Sequence, residues 1–179
     1  MIYRFKIVSE DTDAFRREIE IDPDADFMAL RNAILDSVGY SRDEINSFFI
    51  CDDDWRRRQE VSIMDFGSRS DQDLYLMDQT PLSDLLDDEG QKLEFVYDGL
   101  SDRSFFIELK EIITGKSLPK PICTLSHGKA PAQHIDLDTI DLLTEKKTAS
   151  RPTDLDMDDF YGDSEFNEGD LDGFEDVQF

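Results

Sequence analysis

Long apolar runs are missing from this chain. No stretch of about 18 apolar residues occurs, so the sequence predicts no membrane-spanning helix. Cysteine is scarce: Cys51 and Cys123 are the whole supply, too few for a disulfide framework, and two reduced thiols in a cytoplasm are the expectation. The N-terminus, Met1-Ile2-Tyr3-Arg4-Phe5-Lys6-Ile7, has no basic region followed by an apolar stretch, so no secretion signal is read there. Cations are few as well. Against 43 Asp and Glu there are 19 Lys and Arg, a net charge of −24, with −10 on residues 151–179 and −14 on the rest. Such a surface repels a phosphate backbone, so direct nucleic-acid binding is not expected, and a basic protein is the natural counterpart. No recognisable catalytic motif stands anywhere in the chain.

What is present is enough for a packed domain. Hydrophobic residues make up 39% of 179 residues, ample for a real core. Tyr3, Phe5 and Ile7 alternate, as do Phe15, Arg17, Ile19 and Ile21, which predicts a β-hairpin with one buried face. Phe27, Leu30, Ile34 and Val38 follow helical spacing, with Asp26 as N-cap and Gly39 as terminator. Ser41 and Glu44 stand at capping-box spacing and predict a short helical turn before a strand at Phe48-Phe49-Ile50-Cys51. Val61, Ile63 and residues 74–77 read as short strands. Thr80-Pro81 opens a short helix carrying Leu82, Leu85 and Leu86. Leu93, Phe95 and Tyr97, then Phe105, Ile107 and Leu109, alternate on either side of an Asp98-Gly99 turn and predict an antiparallel pair. From Ser117, Pro119, Pro121, Gly128 and Pro131 imply an irregular segment lying over the domain, followed by a last short helix at Ile135, Ile140, Leu142 and Leu143. The expected class is α+β, a β-grasp-like mixed sheet with one main helix and an added hairpin. Residues 1–145 form the expected domain, and 146–179 the linker and acidic tail.

The ordered set Phe15-Arg16-Arg17-x-Ile19-x-Ile21, the helix Phe27–Val38 ending in Gly39-Tyr40, Phe48-x-Ile50, Tyr97-Asp98-Gly99, Ile107-Glu108-Leu109 and residues 118–123 resembles the Ri-plasmid "ORF three"-like family over residues 1–131. The family pattern Tyr-Asp-Phe-Gly-Asp-x-Trp is replaced here by Tyr97-Asp98-Gly99-Leu100-Ser101-Asp102-Arg103, without the tryptophan. A histidine before the third strand is absent around Asn46-Ser47, and a Pro-Pro-Glu-Asp segment is reduced to Ala130-Pro131-Ala132-Gln133. The resemblance implies no settled activity. Members are sometimes labelled mobile-element passenger proteins with a resolvase-like name, but Ser9 after Tyr3-Arg4 does not make a recombinase nucleophile with its arginine cluster.

Four candidate sites follow from residue chemistry. His127, His134 and Cys123 are the only metal-like set in the folded part; zinc needs three or four converging N or S ligands, which Cys51 would complete, whereas the plain reading is a covering loop with a buried thiol and no metal or other cofactor. Asp154, Asp156, Asp158 and Glu165 echo a calcium loop, but Asp159 stands where glycine makes the turn. Trp55, Arg56, Arg57 and Arg58 form the densest basic patch, which reads as a salt-bridged edge strand or as a dock for the protein's own acidic tail. Residues 151–179 hold eleven carboxylates against one arginine, with nine apolar residues among them. Acidic composition with scattered aromatics reads either as a disordered solubilising segment or, as the acidic–hydrophobic alternation favours, as one that folds against a basic groove, with Phe160, Tyr161, Phe166 and Phe174 as anchors. The expected role is therefore a non-catalytic cytoplasmic interaction module with a basic protein partner, or with its tail docked on itself. A DNA mimic is the alternative, and a metal-dependent enzyme a more distant one.

Overall fold

The computed structural model describes residues 1–67 and 73–135. Among these residues the chain forms eight strands and one α-helix: β1 Ile2–Ser9, β2 Arg16–Ile21, α1 Phe27–Val38, β3 Ser47–Cys51, β4 Arg57–Ser62, β5 Tyr75–Leu76, β6 Lys92–Asp98, β7 Arg103–Ile113 and β8 Ile122–His127. The strands make one mixed sheet in the order β5-β4-β3-β6-β7-β1-β2-β8. The class is α+β. Every pairing in the body of the sheet is antiparallel, and the parallel pair lies at the edge, where Val61 and Ser62 of β4 meet Tyr75 and Leu76.

The helix forms where spacing and caps place it. The Asp26 carboxylate accepts from the Ala29 N–H at 2.8 Å, and Gly39 closes α1 at φ 72°, a left-handed conformation that glycine adopts without a Cβ clash. Phe27, Leu30, Ile34 and Leu35 of α1 are fully buried against Phe5, Ile7, Ile19, Phe48, Phe95 and Phe105 of the strands. Period-two alternation gives the sheet two unlike faces. One is apolar and carries α1. The other is polar, with side chains such as Arg4, Glu18, Glu20, Arg57 and Glu94, and no helix among the described residues packs on it.

Three local expectations differ from the structure. Ser41 and Glu44 start no helical turn. Buried Arg31 instead takes the carbonyls of Arg42 and Glu44 at 2.7 and 3.1 Å and Asn46 Oδ1 at 2.8 Å, drawing the loop into an arc. Burial holds the Arg31 guanidinium below its ordinary pKa, yet with these acceptors it is well satisfied. The helix after Thr80-Pro81 is only a 3-10 turn, Leu82–Asp84, whose leading N–H groups, those of Leu82 and Ser83, are capped by the carbonyls of Ala25 and Pro23. The segment after Ser117 is not irregular throughout. Pro119 and Pro121 precede β8, but residues 122–127 hold no proline, so they pair with β2 as an edge strand. All six are exposed, which is why no alternation announced the strand. Residues 128–135 do lie over the domain as expected. The rest of the expected last helix, at Ile140, Leu142 and Leu143, lies outside the described residues.

Candidate functional site

The patch Trp55 to Arg58 sits at the β3–β4 hairpin. The turn is built by Asp52, whose carboxylate accepts from the N–H groups of Asp54 and Arg56 at 3.0 and 2.9 Å and so lies below the usual carboxylate range. Trp55 adopts φ 63°, a left-handed conformation uncommon for a large side chain. Its ring meets the edge of Phe106 on β7 at 5.0 Å, and Lys92 Nζ lies 5.2 Å from its centroid. Arg57 folds back on the sheet and grips Glu94 with two bonds of 2.8 and 2.7 Å; a third reaches Asp102 at 2.9 Å, and its guanidinium lies 4.5 Å from the Phe49 ring. The Arg57 guanidinium, with help from Ser104, holds buried Glu94 below its ordinary pKa, while Glu94 in turn raises that of Arg57. Arg58 pairs with Asp52 at 2.6 Å. Arg56 alone of the three arginines makes no ion pair among the described residues. An open hollow of about 370 Å³ lies beside this patch, between Phe49, Arg57, Arg58, Glu60, Ser62 and Leu74.

The metal-like set is not brought together. Cys51 on β3 and Cys123 on β8 are five strand intervals apart, on the order of 24 Å. His134 turns to Glu44 at 3.4 Å. Among the described residues no three His, Cys, Asp or Glu side chains are placed to hold a metal ion. Cys123 is exposed rather than buried, since nothing among the described residues covers the edge strand β8. Cys51 is buried on the polar face, where desolvation and then Glu94 push its thiol up to about 11. Such a thiol is protonated at neutral pH and is a poor nucleophile.

A second cluster had no place among the candidates drawn from sequence. The rings of Tyr40, Tyr97 and Phe105 stack at 4.6 to 5.9 Å. Arg103 lies 5.1 Å from the Tyr97 ring, and Asp11 receives both Arg103 Nε at 3.1 Å and the Tyr97 hydroxyl at 3.2 Å. Burial raises both phenols, Tyr40 to about 12, so they remain donors at neutral pH. The available signals were faint: Tyr40 directly follows the helix-ending glycine, and Tyr97 ends an alternating strand just before the Asp98-Gly99 turn. Phe160, Tyr161, Phe166, Phe174 and the acidic calcium-like loop all lie outside the described residues.

The family model of plasmid pRiA4b ORF-3-like protein matches residues 1–173. The chain belongs to this family. The ORF-3-like match runs past residue 131 into the acidic tail, taking in Phe160, Tyr161 and Phe166 and stopping just short of Phe174. A crystal structure of a protein of unknown function from Methanosarcina mazei Go1 shares the ORF-3-like chain's fold. It has 16% identity and a TM-score of 0.54 over 70% of this chain and 68% of that one. No curated protein matches. ORF-3-like membership and this neighbour fix the fold and bring no reaction with them.

Proposed function

We propose that this protein is a cytoplasmic binding module with no chemistry of its own, whose acidic C-terminal arm engages a basic protein partner. The observation that supports this reading is where the domain's cations are spent. Arg4, Arg16, Arg42, Arg57, Arg58, Arg103 and Lys110 are each paired with carboxylates of the domain itself. Arg17 and Arg31 are buried on backbone carbonyls. The basic patch at Trp55 is thus largely neutralised from within, and eleven carboxylates in residues 151–179 call for counter-charge from elsewhere. The carboxylates steer encounter, and Phe160, Tyr161, Phe166 and Phe174 supply the apolar anchors.

The test is affinity capture with three baits: the full chain, a chain ending at Ser150, and the full chain with the four aromatics changed to alanine. A basic partner held by the first and lost by the other two, at unchanged melting temperature, is the expected result. Equal capture by all three removes the arm from the binding surface. Release of the partner by plain duplex DNA would move the reading to a DNA mimic.

A further inference from the structure

Residues 128–135 cross the end of α1 as a strap, and the way they are held is unusual. No residue of the strap is buried; Lys129 and Ala132 are exposed, and Ala130 and Pro131 half-buried. The domain grips the main chain instead. Arg17 Nη1 donates to the carbonyls of His127 and Gly128 at 2.7 and 3.1 Å, the Tyr40 hydroxyl to that of Pro131, and Arg103 Nη1 to that of Ala132 at 2.8 Å. Ser41 exchanges two bonds with the Gln133 side chain, its N–H donating at 2.8 Å and its carbonyl accepting at 3.0 Å.

These donors are positioned without the strap. Arg103 is oriented by Asp11 and the Tyr97 ring, and Arg17 by the Ser37 carbonyl at 3.2 Å and the Phe15 ring at 4.6 Å. The result is an aromatic floor of Tyr40 and Tyr97 with donors aimed at two pairs of carbonyls, those of His127 and Gly128 and those of Pro131 and Ala132. An extended segment that offers acceptors and few donors fits it best. Proline meets that demand, since it lacks an N–H and presets the extended backbone, and aromatic-lined grooves with side-chain donors recognise such segments elsewhere.

We propose that this groove is a binding site for an extended, proline-bearing peptide segment of a partner protein, occupied in the free protein by the chain's own residues 128–133. Grip through main-chain carbonyls makes the site tolerant of side-chain identity everywhere but at Gln133, whose amide pairs with Ser41. Absence of buried strap side chains makes local opening far easier than global unfolding. Gly128, at φ 70° and close against Ala14, fixes the junction with β8, and beyond it the strap is held by hydrogen bonds and the half-buried Ala130. The site is separate from the arm, so either reading stands if the other fails.

The experiment uses the full chain, labelled for NMR, and the synthetic peptide Gly-Lys-Ala-Pro-Ala-Gln-His-Ile as probe. The Ser41 amide, bonded to Gln133, reports strap opening through hydrogen exchange. Its exchange is expected to be at least about tenfold faster than that of the β1 and β7 amides. Pro131→Gly is expected to loosen the strap and raise probe affinity about twofold to fivefold. Adding Tyr40→Phe is expected to weaken the probe about twofold to tenfold. Ser41 exchanging only as fast as the β1 and β7 amides, or unaffected by Pro131→Gly, overturns the proposal. So does absence of saturable probe binding to Pro131→Gly at millimolar concentration, or binding indifferent to Tyr40→Phe.

Discussion

The two faces of the sheet solve the same problem by different means. The face under α1 is closed by aromatic and aliphatic side chains, among them Phe5, Phe48, Phe95 and Phe105, all without exposure. The opposite face, bare of helices among the described residues, is closed by long charged side chains lying flat across neighbouring strands. Arg4 joins Glu20 to Glu111, Glu18 takes Arg16 and Lys110, and Glu94 takes Arg57. Their aliphatic stems cover the sheet while the charges pair at its surface, so Glu18 and Glu94 are buried without a second layer of structure. The lesson is that a net charge of −24 coexists with a well-covered sheet because the cations are placed where the sheet needs them.

The comparison predicts unequal costs. The largest belongs to the covered face. Phe95→Ala removes a fully buried ring that packs 4.7 Å from Phe48, and about 3 to 5 kcal/mol should be lost in urea denaturation. A loss under about 1 kcal/mol would mean the covered face is no tighter than the open one. At the rim of the same face, Gly128→Ala comes next. A Cβ there would lie 2.3 Å from the Ala14 carbonyl oxygen in a left-handed backbone, so about 2 to 3 kcal/mol is expected. A neutral result would show that β8 and β2 can part at that point.

On the open face the effect is smaller and depends on pH. Arg57→Met leaves buried Glu94 with Ser104 as its remaining side-chain partner; since Arg57 is about a third exposed, about 1 to 2 kcal/mol at pH 7 is expected. The Glu94 pKa is lowered in the folded state by Arg57, so the pair's contribution is complete above the unfolded value of about 4.3 and is lost as pH falls through the lowered one. Melts of the two proteins should therefore converge as pH drops below about 4. A gap that stays constant down to pH 3 would show that the Arg57 guanidinium acts through the Phe49 ring and not through its pairing with Glu94.

Much of this was legible in the residues. Alternation at Tyr3, Phe5 and Ile7 and helical spacing from Phe27 placed the covered face correctly, because burial on one side leaves a period in the sequence. The edges were less legible. In β8 both faces meet solvent, so burial imposed no pattern, and a proline-flanked stretch was read as irregular. The Tyr40, Tyr97 and Arg103 cluster was missed for another reason: Tyr40 lies far in sequence from the hairpin that carries Tyr97 and Arg103, and the task of Tyr40 and Arg103 is to hold main-chain carbonyls, which leave no trace in the side chains they bind. The basic patch shows the reverse. Its composition stood out, and Asp52, which pairs with Arg58, stands beside it, but Glu94 and Asp102, which neutralise Arg57, lie far away in sequence.

Trp55 gives the finest test of the difference between the faces. Its left-handed backbone costs energy that asparagine tolerates better, whereas its ring contributes an edge contact to Phe106 and a cationic one to Lys92. These terms oppose each other and are each about 1 kcal/mol, so Trp55→Asn should change stability by less than about 1 kcal/mol. The open face, covered by paired charges, does not depend on any single aromatic. Thermal melts of this variant beside Phe95→Ala measure that directly. A loss above about 2 kcal/mol for Trp55→Asn would make the tryptophan a second, smaller core, since that is the size expected when closely packed apolar surface is removed.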